Sequence, residues 1–168
     1  MTSARQRGKM FTDRAAAWLS LVMFSVAGAG CMAFAATTEW VVTNPRTGIA
    51  IEGFDPVAYF IEDAAMLGRP DFEFRYRGAS WRFRNPGNRA AFADNPGDYE
   101  PRFGGYDPVA IGRSAPTPGN PQIWAIWEHK LYLFFDPQTR EDFMTDPQRI
   151  VMQADARWPD ILKHMLSQ

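Results

Sequence analysis

A six-residue motif occurs twice in this chain, as GFDPVA at residues 53–58 and as GYDPVA at residues 105–110. Further Asx-Pro pairs follow each copy at nearly the same spacing, at positions 85 and 95 after Asp55 and at positions 136 and 146 after Asp107. A spacing that recurs in this way predicts two related structural units within the chain.

The residues between these pairs predict the same secondary structure in both halves. Residues 71–78 (DFEFRYRG) alternate aromatic and charged side chains, and residues 79–84 (ASWRFR) continue the alternation after a turn. That pattern predicts an antiparallel β-hairpin. Residues 123–127 (IWAIW) and 130–135 (KLYLFF) predict a second hairpin, with its turn at residues 128–130.

Helix signals follow each hairpin. Asn85 and Pro86 are residue types preferred at the N-cap and at the first helical position, and Asp136 and Asp146, each followed by proline, provide the same signal in the second half. Pro159 is expected to interrupt the last helix or to open a new turn. The predicted fold class is therefore α+β, with small antiparallel β-hairpins each followed by short helices.

We interpret the two predicted units, about residues 53–99 and 105–150, as a degenerate internal duplication. Four phenylalanine positions match at one sequence separation, Phe83 with Phe134 and Phe92 with Phe143. We call this common separation the repeat offset. Because equivalent positions in related units have equivalent surroundings, we expect all four rings to be buried.

Residues 1–35 have the pattern of a signal peptide that is cleaved after Ala35. Four basic residues lie within residues 1–14, an uncharged apolar run occupies residues 15–30, and small residues precede the predicted cleavage site. The alternative is an inner-membrane anchor formed by residues 15–36, which are almost long enough to span a bilayer. We expect an exported protein, periplasmic or secreted, that associates with the membrane only transiently, through its signal peptide.

The predicted mature chain, residues 36–168, has the length of a single domain. Cleavage would remove four of the 18 basic residues and one of the 19 acidic residues, Asp13, which leaves 14 against 18 and a net charge of −4. This negative charge argues against a nucleic-acid partner. The one cysteine, Cys31, lies in the leader, so the mature protein is expected to have neither a disulfide nor a thiolate metal ligand.

Several motifs resemble the YHS domain, a small module with an Asp-Pro-Val-Cys segment, a hairpin ending in Tyr-Phe-Cys, and a later Pro-x-x-Tyr. The matching runs are DPVAYF at residues 55–60 and YRGASWRFRNPGNRAAFADNPGDY at residues 76–99. YEPRFGGY at residues 99–106, HKLYLFF at residues 129–135 and ADARWPDI at residues 154–161 resemble the longer, exported single-domain members of that family. The resemblance covers about residues 49–161.

The resemblance implies a metal site built from cysteine thiolates, which suit copper or zinc. The cysteine positions of the family correspond to four residues in this sequence: Ala58, Arg84, Asn88 and Asp107. None of them is a cysteine. We therefore expect the metal site to be degenerate and the protein to need no cofactor.

Asp55 and Asp107, in the repeated motif, have two interpretations. If the units were related by a pseudo-twofold axis, the two carboxylates could lie close together and bind a cation or exchange protons. In the favoured interpretation each carboxylate caps its own helix by accepting hydrogen bonds from the first free N–H groups. As a simple cap, either aspartate could be replaced by asparagine at little cost.

A second functional hypothesis is a periplasmic protein that handles copper with residual ligands. Its candidate ligands are Asp107, His129 and His164, supplemented by scattered methionines. His129 lies in the predicted turn of the second hairpin, and His164 lies in the predicted last helix. Methionine scattered in this way is more often core filler than ligand.

The favoured hypothesis is a non-enzymatic, exported YHS-like module that binds a protein partner or a small ligand. The sequence contains no Gly-x-Ser-x-Gly, His-Glu-x-x-His or phosphate-loop motif, so we do not expect an enzyme. Arg75, Arg77, Arg82 and Arg84 lie on the predicted outward face of the first hairpin. Guanidinium groups in such an array could hold an anion or the carboxylates of a partner.

Overall fold

The structure, a computed structural model, describes residues 41–167. The predicted signal peptide (residues 1–35), its cleavage after Ala35 and the alternative anchor (residues 15–36) therefore lie outside the described residues. Among residues 41–167, no helix combines the length and the apolar character that crossing a bilayer would require.

Two successive segments have the same order of elements: a 3-10 turn, a short helix, a two-stranded antiparallel hairpin and two further helices. In the first repeat these are the turn Ile51–Gly53, α1 (Ala58–Ile61), β1 (Arg69–Tyr76), β2 (Ala79–Phe83), α2 (Pro86–Asp94) and α3 (Pro96–Tyr99). In the second repeat they are the turn Arg102–Gly105, α4 (Pro108–Gly112), β3 (Asn120–Trp127), β4 (Lys130–Phe134), α5 (Pro137–Thr145) and α6 (Pro147–Met165). The predicted α+β class and hairpin-plus-helix pattern are confirmed.

The two hairpins share an irregularity in their pairing. β1 pairs with β2 and β3 with β4, and the register shifts between Arg69 and Glu73 in β1 and between Asn120 and Trp124 in β3. The two shifted segments occupy equivalent positions at the repeat offset. A shared bulge of this kind shows that the repeats agree in backbone detail as well as in element order.

A glycine precedes each of these shifts because the neighbouring strand passes very close. A Cβ atom at Gly68 would lie 2.4 Å from the carbonyl carbon of Arg82, and one at Gly119 would lie 2.6 Å from the Cβ of Leu133. No larger residue fits either position without displacing the backbone.

One phenylalanine ring occupies the centre of each repeat. Phe92 of α2 and Phe143 of α5 are both fully buried, as are Phe83 and Phe134, so the predicted burial of all four rings is confirmed. The ring centroids within 4.9–6.3 Å of Phe92 belong to Phe74, Tyr76, Trp81 and Phe83. Those within 4.9–6.3 Å of Phe143 belong to Trp127, Tyr132 and Phe134.

The repeats pack on each other asymmetrically through β4. Tyr132 and Phe134 face the core of the second repeat, whereas Leu131 and Leu133 on the opposite face belong to the core of the first repeat. A strand buried on both faces has a continuous apolar sequence rather than an alternating one, which explains the run KLYLFF. Tyr59 of α1 also joins the repeats, since its hydroxyl donates to the backbone oxygen of Pro121 at 2.7 Å.

Helices α2, α5 and α6 begin where the sequence predicts. The side chain of Asn85 accepts from the backbone N–H of Asn88 at 2.8 Å, and Asp136 and Asp146 cap α5 and α6 in the same way. One expectation is wrong: α6 continues through Pro159 to Met165. Pro159 is exposed, so water can satisfy the carbonyl group that loses its helical donor.

The last helices of the two repeats differ greatly in length. Pro101 follows α3 and limits it to a single turn, because proline disfavours helical conformation in the residue before it. The equivalent position in the second repeat is Met152, and α6 continues for 19 residues. The longer helix covers the second core with Ile150 and Ala154.

Candidate functional site

Asp55 is a buried carboxylate that ties the start of the first repeat to the end of its hairpin. One oxygen, Oδ1, accepts from the backbone N–H groups of Val57 at 2.9 Å and Ala58 at 3.3 Å. The other, Oδ2, accepts from the backbone N–H of Arg84 at 2.8 Å and from Nδ2 of Asn88 at 2.7 Å. Both oxygens are therefore fully used within the repeat.

Asp107 has the same role in the second repeat, with one partner fewer. Its Oδ1 accepts from Val109 N at 2.8 Å and Ala110 N at 3.3 Å, and its Oδ2 accepts from Phe135 N at 2.9 Å. Thr139 stands where the first repeat has Asn88, and its hydroxyl instead donates to the backbone oxygen of Asp136.

The capping interpretation is confirmed for Asp107, which is the N-cap of α4. Asp55 accepts from the same two backbone N–H positions, but it lies two residues before Val57, the N-cap of α1. Both aspartates also have a role larger than capping. The networks of Asp55 and Asp107 share no hydrogen-bond partner, so the structure does not join the two carboxylates into one site. The motif itself carried no signal for the second role, because the backbone N–H that each Oδ2 meets belongs to Arg84 or Phe135, far along the chain.

Three of the four positions that the YHS resemblance assigns to metal ligands meet at Asp55, and the fourth, Asp107, lies in the second repeat. Ala58 and Arg84 contact its carboxylate through their backbone N–H groups, and Asn88 contacts it through its side-chain amide. Ala58 has no donor atom for a metal, and the Asn88 nitrogen is engaged as a hydrogen-bond donor. This donor set does not fit a soft metal ion.

The three candidate copper ligands have different environments. Asp107 is fully buried and its oxygens accept backbone N–H groups, His129 lies exposed in the turn of the second hairpin, and His164 lies exposed near the end of α6. Within residues 41–167, no group of three or more His, Cys, Asp or Glu side chains is arranged to hold a metal ion.

The four arginines of the first hairpin do not form a uniform basic face. Arg82 pairs with Glu73 across the strands, with 2.8 Å between Nε and Oε1. This pairing lowers the pKa of the Glu73 carboxyl group, with Ser80 as a second donor. Arg75, Arg77 and Arg84 are exposed, and Arg77, in the turn, also belongs to a different feature of the molecule.

That feature is a cleft between the repeats, which we call the inter-repeat cleft. It has a volume of about 250 Å³. Its lining comes from the turn of the first hairpin, α3 and the segment after it, the start of β4, and α6. The lining residues are Arg77, Gly97, Glu100, Pro101, Arg102, Phe103, Gly104, Lys130, Asp155 and Trp158.

Glu100 is the most buried charged group of the inter-repeat cleft. Its side chain is 16% exposed, and both of its oxygens lie near Nη1 of Arg77, at 3.0 and 3.2 Å. Burial raises the pKa of the Glu100 carboxyl group, and the charges of Arg77 and Lys130 act in the opposite direction. Desolvation thus exceeds the attraction of two nearby cations.

The opposite wall of the inter-repeat cleft has a second ion pair above an aromatic floor. Nη2 of Arg102 donates to Oδ1 of Asp155, and the Arg102 guanidinium lies 5.0 Å from the ring centroid of Phe103. The Trp158 ring packs against Phe103 and Tyr106, with 5.8 Å between centroids in both cases. Rigid apolar surface and fixed charges therefore lie side by side.

A wider groove of about 520 Å³ follows β3. Its charged lining is limited to Asp63 and Arg140, and Nε of Arg140 already donates to the backbone oxygen of Trp124 at 2.8 Å. The inter-repeat cleft, although smaller, has five charged side chains around a ring and is the better candidate site.

Comparison with known proteins finds no family model that matches the chain, no similar curated protein and no similar solved structure. The candidate site was not predicted from sequence, except for Arg77. Its residues come from four separate segments, and each segment by itself resembles a solvated surface.

Proposed function

We propose that this protein is a non-enzymatic, exported YHS-like module that binds a small ligand in the inter-repeat cleft. The observation that carries the proposal is the composition of the cleft: two ion pairs, a lysine and the Trp158 ring line one recess formed by both repeats. A concave site with an apolar floor and a few fixed polar groups is the usual form of a small-molecule site.

The chemistry of the buried groups supports binding rather than catalysis. Asp55 and Asp107 are fully buried and accept hydrogen bonds from donors within their own repeats. In the inter-repeat cleft, Glu100 and Asp155 are each held by a guanidinium group. A carboxylate engaged in this way is poorly placed to accept a proton from a substrate.

Export and the YHS relationship enter the proposal from the sequence. The leader pattern of residues 1–35 supports export. The ordered motifs between residues 49 and 161 support the relationship, with the cysteine ligands replaced. The protein would then retain the scaffold of that family and bind its ligand at a different place.

Nuclear magnetic resonance of the labelled protein, titrated with a panel of small acids, amines and neutral ring compounds, tests the proposal. We expect at least one compound to shift the backbone amide signals of Gly97 and Gly104, which line the cleft. Gly87 in α2 and Gly112 in α4 serve as internal controls and should not move. Shifts confined to the controls, or none at millimolar concentration across the panel, would contradict the proposal.

A copper titration separates this proposal from the copper-handling hypothesis. We expect no stoichiometric copper binding and an unchanged melting temperature in excess chelator, because a structural metal contributes to folding free energy. One-to-one copper binding that is lost on replacement of His129 or His164 would support the copper hypothesis instead.

A further inference from the structure

The charges of the inter-repeat cleft are not balanced. Arg77 pairs with Glu100 and Arg102 pairs with Asp155, so each guanidinium has a carboxylate inside the cleft. Lys130 is the third cation of the lining. The lining therefore has three cations and two carboxylates, and the ion-pair partner of Lys130, Asp98, lies outside it.

The surroundings of Lys130 leave part of its binding capacity unused. Its Nζ donates to the backbone oxygen of Gly97 at 2.8 Å. The carboxylate of Asp98 lies 3.7 Å away, outside the cleft lining, and that side chain is 71% exposed. Because an ammonium group has three donors and an exposed ion pair is weak, Lys130 can donate to a further, anionic partner.

A cationic ligand would be a poor match for the same cleft. To bind, it would have to compete with Arg77 for Glu100 or with Arg102 for Asp155. Of these groups only Glu100 is largely buried, at 16% exposed, so displacing its partner carries the larger cost. Arg102 and Asp155 are 38% and 48% exposed, and competition there costs less. An anion requires no such displacement.

The floor and the size of the cleft indicate the rest of the ligand. Trp158 and Pro101 provide flat apolar surface within the same lining as Lys130. A volume of about 250 Å³ is below the range of roughly 300–1,000 Å³ that is typical of sites for drug-sized molecules. One ring with a short acidic arm is a ligand of the appropriate size.

We propose that the inter-repeat cleft binds a small monocarboxylate with one flat apolar ring, with its carboxylate on the Lys130 ammonium group and its ring against Trp158 and Pro101. This inference rests on the proposed function, since it specifies the ligand class of the same site.

Two probes of the same shape, phenylacetate and its uncharged amide phenylacetamide, test the inference by calorimetry and by the amide shifts of Gly97 and Gly104. We expect phenylacetate to bind at least tenfold more tightly than phenylacetamide. The affinity for phenylacetate should fall as salt is added, because the proposed contact with Lys130 is ionic. Inorganic phosphate, which has no ring, should bind more weakly than phenylacetate.

Substitutions at the two lysines of the described chain provide the matched comparison. Lys130→Met should reduce the affinity for phenylacetate about tenfold, to the level of the amide, and Lys130→Arg should restore most of it. Lys163→Met, on the exposed surface of α6, should have no effect. Unchanged melting temperatures would show that the variants are folded.

The outcomes distinguish the inference from the proposed function. Equal affinities for the acid and the amide at Gly97 and Gly104, or binding of benzylamine in preference to both, would overturn the inference and leave the cleft as a binding site. An effect of Lys163→Met equal to that of Lys130→Met would also overturn it. Absence of any shift at the cleft with all probes would remove the proposed function as well.

Discussion

The two repeats have the same backbone framework and very different exteriors. In both, an aspartate at the entry of the repeat binds the end of the hairpin, a glycine allows close approach of the strands, and a phenylalanine fills the core. The faces of the hairpins differ: Ser80 and Arg82 of β2 are partly exposed, whereas their equivalents Leu131 and Leu133 of β4 are fully buried.

This difference shows which positions serve the fold and which serve the contact between repeats. Positions that agree at the repeat offset, such as Phe92 and Phe143, stabilise each repeat from within. Some positions that disagree border the inter-repeat cleft: Glu100 lines it, whereas its equivalent Val151 packs against the core of the second repeat.

The largest expected effect is at the central rings. Phe92→Ala and Phe143→Ala should each lower the free energy of unfolding by about 3–5 kcal/mol, because both rings are fully buried among other aromatic side chains. Chemical denaturation measures both. Phe135→Ala is the control, since that ring is 56% exposed, and it should cost much less. A clear difference between the two core variants would mean that the repeats are not equivalent in packing.

Replacement by asparagine should lower the free energy of unfolding more at Asp55 than at Asp107. At Asp55 an amide group would leave two donors, Arg84 N and Asn88 Nδ2, without an acceptor, whereas at Asp107 only Phe135 N loses one. A buried donor without an acceptor costs about 1–3 kcal/mol. We expect about 2–4 kcal/mol for Asp55→Asn and about 1–3 kcal/mol for Asp107→Asn.

Asn88→Ala provides the test of that explanation. In its background one of the two donors is gone, so Asp55→Asn should cost less than it does in the wild-type protein, and a double-mutant cycle measures the difference. Strict additivity of the two substitutions, or equal and negligible costs at both aspartates, would mean that Asp55 and Asp107 act only as simple caps.

Substitutions in the two hairpin turns should change the free energy of unfolding in opposite directions. Both turns have positive φ at two successive residues, Arg77 and Gly78 in the first repeat and Glu128 and His129 in the second. Glycine adopts this conformation without strain, and histidine does not. His129→Gly should raise the free energy of unfolding by about 0.5–1 kcal/mol, and Gly78→Ala should lower it by about 1 kcal/mol.

Thermal or chemical denaturation of these two turn variants is sufficient for the comparison. A Cβ at Gly78 would contact nothing within 4 Å, so its cost measures the backbone alone. Destabilisation by His129→Gly would indicate that the imidazole makes a contact that outweighs the strain.

The smallest expected effect is a pH dependence that arises at Glu100, where the second repeat has Val151. Burial raises the pKa of Glu100 above its ordinary value of 4.5, so the folded protein holds this proton more tightly than the unfolded chain. The associated stability is present below that value and is lost as pH rises through the folded pKa. Relative to Glu100→Gln, the wild-type protein should become less stable as pH increases from about 4 to about 7.

Urea denaturation of the two proteins at several pH values measures this difference. Val151→Gln, at the equivalent position of the second repeat, is the matched control and should give a difference that does not depend on pH. A wild-type protein that gains stability relative to Glu100→Gln over the same interval would mean that the ion pair with Arg77 outweighs burial.

Much of the fold was predictable because its signals are local. The alternation in ASWRFR predicted β2, the Asx-Pro pairs predicted the starts of α2, α5 and α6, and the repeat offset predicted the four buried rings. The first two signals involve only a few neighbouring residues, and the third is a spacing that recurs along the chain. The prediction that the last helix would be interrupted at Pro159 was wrong because it used only the local sequence. The helix continues because that turn is exposed to water.

Local signals in the chain were enough for the α+β class, the two hairpins, the helix caps and the equivalence of the repeats, because periodicity and capping depend on neighbouring residues. Packing between distant segments settled the rest: β4 is buried between the repeats, Asp55 also binds the end of β2, and Arg77, Glu100 and Lys130 meet at one cleft. The ion pairs of that cleft join Arg77 with Glu100 and Arg102 with Asp155, 23 and 53 positions apart. A long-range contact of this kind depends on how the repeats pack, and no local pattern in the sequence predicts it.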